Sequence, residues 1–413
     1  MKKQVLASVL SAAMVCSMLA GCGEAATSGT AASSAAPAAA ATTAAPAAAA
    51  TSAAAAATSA AAAASSGSDL LTGTEFEGVT AKSKYTFSVV VKSFQSTYWQ
   101  AALQGMDQAK AELGVDYTAQ GPNSESDIAD QVNMLNSAIS GKPNGIALAA
   151  CDTTSVLDSL QAAKDAGVPV VCFDTGVADA PDGSVVATVA TDNGKAGSLA
   201  ADKMYEILKD KIGSSTKQVR IGEVNQDATA LNIQQRGLGF INELIKVATA
   251  DGKTVAVTGN EFYVNAAEGA NGDEASANIV IEVAVPAQTT VDLCSTEASK
   301  IMSKSDTIGI FGSNQTSAEG VLAANNNLGV LNADPSKGMI GIGFDAGSVI
   351  KGAITDKTMA GAVTQSPLLM GYYAIYAMTM AANGDKVSDF PMDGYWYDST
   401  NMTDPQIAPN LYD

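Results

Sequence analysis

The sequence has no histidine in its 413 residues. Histidine is the commonest general base in enzymes and a frequent ligand of transition metals, so its absence argues against a catalytic triad and most metal centres. Positive charge is also scarce, because 23 Lys and Arg stand against 42 Asp and Glu, for a formal net charge of −19. So acidic a chain is unsuited to nucleic acid or an anionic lipid surface, and we expect neither as a partner.

Cysteine is sparse as well. The spacing of the five cysteines indicates neither a zinc site nor a disulfide framework. Cys151 and Cys172 lie in or beside apolar runs, where a cysteine is usually a small core residue. We therefore expect no metal and no other cofactor.

Beyond an apolar stretch near residue 1, no segment of the sequence is long and apolar enough to span a bilayer. Two lysines there precede an apolar stretch that closes on Leu19-Ala20-Gly21-Cys22. A short apolar stretch behind lysines predicts a signal peptide over 1–21 rather than a membrane-spanning helix. A Cys directly after Leu-Ala-Gly resembles the bacterial lipoprotein signal, which implies a lipid on Cys22. The alternative is an ordinary secretory signal with an incidental cysteine.

Residues 22–68 consist almost entirely of Ala, Ser, Thr, Gly and Pro after the cysteine and a glutamate. Such a stretch has no large apolar side chain to bury, and its prolines interrupt helix formation. We interpret it as a flexible linker. Together with the predicted lipid, it indicates a membrane contact through the anchor alone.

From about Tyr85 onward, short apolar β-branched runs alternate with amphipathic helical patterns, and the alternation restarts near 190–192. Such alternation predicts an α/β fold with two doubly wound parallel-sheet lobes. The exception is 249–278, which we expect to be irregular, either as an extra hairpin at the surface or as a segment that contributes Phe262 or Tyr263 near the cleft between the lobes. Predicted strands occupy 86–91, 145–149, 168–173, 185–189, 218–224, 279–285, 307–311, 339–343 and 359–363.

Amides and carboxylates follow nearly every predicted strand. Ligands of open α/β sheets bind beyond the carboxyl ends of the strands. Carboxylates accept hydrogen bonds from sugar hydroxyls, amides donate and accept, and aromatic rings cover the C–H faces of a sugar. The set therefore predicts a site for a polyhydroxylated ligand, although each residue could instead cap the following helix. The strand-end residues that suggest it include Tyr98, Trp99, Asp174, Asn314, Asp345 and Gln365.

These segments, in this order, resemble the sugar-binding class of type I periplasmic binding proteins, the ribose- and galactose-binding kind. The segments are Gln95-Ser96-Thr97-Tyr98-Trp99, Val168-Pro169-Val170-Val171-Cys172-Phe173-Asp174, Thr191-Asp192-Asn193, Arg236-Gly237-Leu238-Gly239-Phe240, Gly312-Ser313-Asn314, Gly341-Ile342-Gly343-Phe344-Asp345 and Gln365-Ser366-Pro367. The resemblance implies two lobes joined by a three-crossover hinge. It places the first lobe at 85–190 plus 366–393 and the second at 191–365 plus 394–413.

The resemblance also implies roles for individual residues. Two aromatics sandwich the sugar and the polar strand-end residues bind its hydroxyls. The implied ligand-binding set is Ser96, Tyr98, Trp99, Asp174, Gln234, Arg236, Asn314, Asp345 and Gln365. Thr175 and Gln234 stand where several relatives have Arg, and Ser96 where Asn is common. Fewer cations in the site favour a neutral sugar over a phosphate, a sulfate or a sugar acid, and they leave a cationic or amino-substituted ligand as an alternative.

The sequence thus predicts a lipid-anchored, monomeric solute-binding protein that delivers a sugar to an ABC permease and is not an enzyme. The anchor favours the outer face of a single-membrane cell, such as a Gram-positive bacterium. Two alternatives use the same cleft. One is a chemosensory or signalling receptor, and the other is a glycosidase with Asp174 and Asp345 as paired carboxylates.

Overall fold

The computed structural model describes residues 74–413. The predicted signal peptide, Cys22 and the predicted linker lie outside the described residues. Within 74–413, none of the helices is both long enough and apolar enough to cross a membrane.

The first lobe is built on a six-stranded sheet in which all neighbouring strands are parallel, ordered β12-β5-β4-β3-β1-β2. Its strands are β1 Thr86–Val90, β2 Asp116–Gln120, β3 Gly145–Leu148, β4 Val170–Phe173, β5 Val185–Thr191 and β12 Phe390–Met392. Its helices are α1 Thr97–Leu113, α2 Ile128–Ser140, α3 Leu157–Asp165 and α10 Pro367–Asn383. Strands β3 and β4 are buried throughout, as expected for parallel strands covered on both faces.

The second lobe is built on a seven-stranded sheet ordered β13-β11-β10-β9-β6-β8-β7, parallel except for β13. Its strands are β6 Val219–Val224, β7 Val255–Gly259, β8 Ile279–Ala284, β9 Thr307–Gly312, β10 Ile340–Phe344, β11 Gly361–Thr364 and β13 Tyr395–Tyr397. Its helices are α4 Asn193–Ser214, α5 Leu231–Ala250, α6 Glu261–Ala266, α7 Val291–Met302, α8 Gln315–Leu328 and α9 Ser348–Thr355.

The chain passes between the lobes three times, after β5, after β11 and between β12 and β13. The predicted fold class is confirmed by this pair of parallel-sheet lobes. Strand β5 extends to Thr191, one residue past the predicted boundary at 190. The exact lobe boundaries stay a prediction.

A close helix pair consolidates each lobe. Helix α1 packs on α10 so tightly that a Cβ on Gly105 or Gly371 would lie 1.8 or 1.9 Å from a carbonyl oxygen of the opposite helix. Helices α4 and α5 repeat the arrangement, since a Cβ on Gly197 or Gly239 would lie 2.0 or 2.2 Å from such an oxygen. Real Cβ atoms do not approach a backbone oxygen so closely, so these contacts require glycine.

The segment 249–278 is more regular than expected. The predicted surface hairpin was wrong, because β7 pairs in parallel with β8 and is followed by the short helix α6. As an edge strand, β7 buries only Val255 and Ala256 fully, which weakens the strand signal in the sequence. Tyr263 of α6 is fully buried beneath the second lobe's cleft-facing loop, whereas Phe262 is exposed.

Candidate functional site

The candidate site is a cavity between the carboxyl ends of the two sheets. In each lobe the strand order reverses direction, between β1 and β3 in the first and between β6 and β9 in the second. Such switch points are where open α/β sheets bind ligands. The cavity is lined by Lys92, Ser96, Tyr98, Trp99, Glu125, Asp174, Gln226, Asn232, Ile233, Arg236, Asn314, Gln315, Thr316, Asp345 and Gln365. Eight of the nine sequence-predicted ligand-binding residues are therefore brought together, and only Gln234 is not.

Asp174 and Asp345 occupy matching positions in the two lobes. Each follows a buried strand, with φ angles of 60° and 71° in the left-handed region. Each backbone N–H donates to the neighbouring strand, Asp174 to the Val189 carbonyl at 2.9 Å and Asp345 to the Val363 carbonyl at 2.7 Å. Asp tolerates this conformation better than most residues. The turn directs both carboxylates into one cavity.

The Asp174 carboxylate is held by donors from both lobes. It accepts from the Tyr98 hydroxyl at 2.6 Å in the first lobe and from the Asn232 amide at 3.1 Å in the second. The Lys92 ammonium lies 3.4 Å from it, and the same ammonium donates to the Asn232 oxygen at 2.9 Å. Asp174 is thus the centre of a buried interlobe network.

The Asp345 carboxylate is held from the hinge and from α8. It accepts from the Gln365 amide at 2.7 Å and from the Gln315 backbone N–H at 3.0 Å. Gln365 in turn accepts from the Thr191 hydroxyl at 2.7 Å, which ties two crossovers together. Burial raises the pKa of Asp345, although the Arg236 charge opposes the shift.

Ser96 and Asn314 have two roles. Ser96 is the N-cap of α1 and Asn314 the N-cap of α8, where Asn314 and Ser317 form a capping box. The helix-capping interpretation therefore holds for both of these residues. Both also line the cavity, and the Ser96 hydroxyl donates across it to the Gln315 side chain at 2.6 Å.

The two aromatics are more deeply buried than a freely exposed stacking surface would be. Tyr98 is 5% exposed and Trp99 is 2% exposed, and their rings meet edge to face with centroids 5.0 Å apart. Trp99 also contacts Phe173 of β4 edge to face. Trp99 therefore belongs as much to the first lobe's core as to the cavity wall.

Arg236 lines the cavity with three of its five N–H donors already engaged. Its guanidinium donates to the Asn193 side chain at 2.6 and 3.2 Å and to the Ser313 carbonyl at 2.8 Å, and it lies 3.6 Å over the Phe344 ring. Gln234 does not reach the cavity. It lies two residues earlier on α5, about 200° around the helix from Arg236, and its amide donates to the Ala228 carbonyl at 2.9 Å.

Several cavity residues were not predicted as ligand-binding residues. Lys92 directly follows the predicted strand 86–91, the same positional signal that identified the others, but the strand-end residues considered began one position later. Glu125 follows β2, a mostly polar edge strand that the apolar pattern could not indicate. Its carboxylate accepts from the Trp99 indole at 3.1 Å and from the Gln226 amide at 2.7 Å. Burial raises the pKa of Glu125, while Lys92 lowers it.

The cavity has a volume of about 30 Å³, room for about one or two water molecules and far less than a sugar needs. Admitting a sugar therefore requires the lobes to part. A larger groove of about 930 Å³ borders the first crossover but shares no lining residue with the cavity. The carboxyl ends of β4 and β10 meet at the smaller cavity, which is why we place the site there.

Comparison with known proteins agrees with this architecture. The family model described as a periplasmic binding protein domain matches residues 87–386. The chain belongs to this family, and the resemblance inferred from the sequence motifs is confirmed.

Among curated relatives, the ribose import binding protein of Bacillus subtilis is 24% identical over 306 residues, covering 74% of this chain and 84% of the relative. A solved ABC transporter solute-binding protein from Agrobacterium vitis with bound D-fucose is 25% identical at a TM-score of 0.65, covering 79% of this chain and 100% of that one. A Brachyspira murdochii structure, named as an ABC transporter, LacI family transcriptional regulator, is 29% identical at a TM-score of 0.65, covering 80% and 99%. The chain is thus similar to sugar-binding solute-binding proteins of ABC transporters.

Proposed function

We propose that the protein is an extracellular solute-binding protein that captures a neutral sugar between its lobes and delivers it to an ABC importer. The observation that carries the proposal is the pairing of Asp174 and Asp345, one from each lobe, on a single cavity beside Tyr98 and the hinge residue Gln365. Two carboxylates and several amides provide the acceptors and donors that sugar hydroxyls need. The printed names of the relatives, which concern ribose import and D-fucose, support the same class of ligand.

The charges of the site favour a neutral sugar. Two cations, Lys92 and Arg236, line the cavity with three carboxylates. Lys92 is engaged by Asp174 and Asn232, and Arg236 by Asn193 and Ser313. An anionic ligand would have to displace these partners and would meet the carboxylates at close range.

The proposal is tested by a thermal-shift screen of the full chain against pentoses, hexoses, polyols and amino sugars, followed by calorimetry on any sugar that stabilises it. Asp345→Asn keeps the shape and tolerates the positive φ but loses the charge, so we expect affinity to fall by about 10- to 100-fold. Gln234→Asn, outside the cavity, is the matched control and should bind normally. A protein stabilised by none of the sugars would refute the proposed ligand class.

We further propose that the receptor is held outside the cell by a lipid on Cys22. A linker over 22–68 would leave the lobes, 85–190 plus 366–393 and 191–365 plus 394–413, free to open and close near a permease. This arrangement suits a monomer on the outer face of a single-membrane, Gram-positive cell. Cys22→Ala should abolish incorporation of a labelled fatty acid and release the protein into the medium. Retention of the variant on the membrane would contradict the anchor.

We propose a binding rather than a catalytic role for the two carboxylates. Asp174 accepts hydrogen bonds from Tyr98, Thr175 and Asn232, and Asp345 from Gln365 and Gln315. Such saturated acceptors suit hydroxyl recognition better than proton transfer. Incubation of the protein with nitrophenyl glycosides should release no nitrophenol. Release that depends on the protein would overturn the binding role of the two carboxylates.

A further inference from the structure

The segment 410–413 is bound to the second lobe, beside the cleft, by hydrogen bonds and an ion pair. The backbone of Tyr412 accepts from the Gly347 N–H at 3.1 Å, and its hydroxyl accepts from the Ala346 N–H at 3.3 Å. Lys351 on α9 donates to the Leu411 carbonyl at 3.2 Å and lies 2.5 Å from the Asp413 carboxylate. These contacts attach the segment to the loop that carries Asp345.

The same segment is attached to the hinge. The Thr364 hydroxyl donates to the Asn410 carbonyl at 2.8 Å, and the Ser366 hydroxyl donates to the Asn410 side chain at 2.7 Å. Thr364 and Ser366 flank Gln365, which lines the cavity and bonds Asp345. The segment 410–413 therefore connects the hinge around Gln365 to the loop that carries Asp345.

The Tyr412 ring crosses to the first lobe. It meets the Tyr98 ring nearly edge to face, with centroids 6.0 Å apart and an interplanar angle of 76°, and it packs against the first lobe's core. Its hydroxyl lies 3.4 Å from the Gln315 side-chain oxygen, which also accepts from the Ser96 hydroxyl of the first lobe. Tyr412 thus contacts a chain of side chains that spans both lobes.

We propose that Tyr412 is a positioning residue that holds the lobes in the closed arrangement. An aromatic held rigidly by one lobe and packed on a cavity residue of the other favours the closed form over the open form. If the proposed sugar-binding function holds, the same contact slows release of the bound sugar. The effect of Tyr412 on lobe closure concerns the lobes alone, whereas its effect on sugar release rests on the proposed function.

Two interlobe hydrogen bonds that do not involve Tyr412 provide a direct readout of closure. The Thr153 N–H of the first lobe donates to the Thr229 carbonyl of the second at 3.2 Å, and the Thr289 N–H of the second donates to the Ser126 hydroxyl of the first at 2.7 Å. Hydrogen exchange at both amides requires the lobes to part. Exchange measured by mass spectrometry on the full chain without sugar therefore reports the open fraction.

We expect Tyr412→Ala to speed exchange at Thr153 and Thr289 by about threefold to tenfold, the population shift that one aromatic pair provides. Peptides inside β6 and β10 should exchange unchanged, which shows that the lobes stay folded. Tyr412→Phe keeps the ring and should exchange like the parent. Tyr205→Phe removes a tyrosine hydroxyl bonded to Asp251 within the second lobe and serves as control.

Unchanged exchange at Thr153 and Thr289 in a folded Tyr412→Ala protein would overturn the proposal, as would Tyr412→Phe exchanging as fast as Tyr412→Ala. The binding arm uses D-ribose and D-fucose in stopped-flow fluorescence. There, Tyr412→Ala should raise the dissociation rate by about threefold to tenfold, and the association rate should rise as well, because the sugar also enters only when the lobes part. If neither sugar binds the parent while exchange responds as expected, the proposed ligand fails and the positioning role of Tyr412 stands.

Discussion

The ammonium group of Lys92 lies 3.4 Å from a carboxylate oxygen of Asp174, and the side chains are only 2% and 4% exposed. A charge pair buried to this degree is costly to desolvate. Removing one partner leaves the other charge unpaired in a low-dielectric site. The pair also lies at the contact between lobes, because both members bond Asn232 of the second lobe. Stability and lobe closure are therefore linked at this position.

Lys92→Met is expected to destabilise the protein by about 3–5 kcal/mol at neutral pH, because it leaves the Asp174 carboxylate without its counter-charge. The measurement is the free energy of unfolding from urea titration. Asp174→Asn in the same background restores part of the loss, since the amide carries no charge and tolerates the positive φ. A double variant no more stable than Lys92→Met alone would show that the ion pair is not the source of the effect.

The pH dependence of this pair follows from the pKa of Lys92. Burial lowers that pKa, but the negative charges of the neighbouring carboxylates, Asp174 before Glu125 and Asp227, outweigh burial and leave it above its ordinary value. A raised folded-state pKa means that the stabilisation is complete below about pH 10.5 and is lost as pH rises through the folded value. We therefore expect the stability difference between the parent and Lys92→Met to stay constant from pH 6 to 9. A decline within that range would contradict the assigned protonation state.

Glu223 presents the opposite case, a buried carboxyl that forms no ion pair with any residue of the described range 74–413. It lies on β6 at 0% exposure, beside the Asn225 amide, and neither of its oxygens makes a hydrogen bond of normal geometry with a described residue. Burial raises the pKa of Glu223 well above its usual range, and Asn225 opposes the shift only in part. Its favourable contribution to folding is thus present at low pH and is lost as pH rises from about 4.5 through the folded-state pKa.

Glu223→Gln should stabilise the protein by about 1–3 kcal/mol at pH 8 and have little effect at pH 4, because it removes the buried charge but not the buried polar group. Urea titrations at the two pH values measure the difference. Glu268→Gln, at an exposed position, is the control and should change little at either pH. A Glu223→Gln variant less stable than the parent at pH 8 would mean that the carboxylate has a stabilising partner.

The sequence predicted the architecture well because parallel strands buried on both faces read as continuous apolar runs. The predicted 307–311 and the observed β9 Thr307–Gly312 differ by one residue, as do the predicted 145–149 and the observed β3 Gly145–Leu148. The misses were edge strands. Strand β2, Asp-Tyr-Thr-Ala-Gln, has no fully buried residue, so periodicity could not distinguish it from a loop.

Residues of the candidate site could be predicted where a polar residue follows a predicted strand. They could not be predicted where only tertiary contacts bring a residue to the cavity. Asp174 and Asp345 carry a positional signal, whereas Glu125 depends on the unpredicted β2 and Tyr412 on a segment with no strand or helix pattern. Gln234 does not line the cavity, and the sequence could not indicate this because motif spacing does not distinguish the faces of α5. The degree of burial was also beyond sequence, and it decides which variant at Trp99 is informative. Trp99→Ala would leave a cavity in the first lobe, so Trp99→Phe is the more informative test of ligand contact.

The helix pair α1 and α10 provides the last prediction. A Cβ on Gly371 would lie 1.9 Å from the Ala102 carbonyl oxygen, and backbone cannot move aside as a flexible side chain does. Gly371→Ala should therefore destabilise the protein by about 3 kcal/mol or more, by forcing apart two helices that support the Tyr98 and Gln365 ends of the cleft. Among residues 74–413, nothing outside the local backbone of α9 lies within 4 Å of the corresponding position at Gly352, so Gly352→Ala should stabilise by about 0.5–1 kcal/mol through helix propensity alone. Urea titration of both variants separates the cost of the helix contact from the gain in helix propensity. Equal changes in the free energy of unfolding, in the same direction, would show that backbone entropy and not the helix contact determines the effect at Gly371.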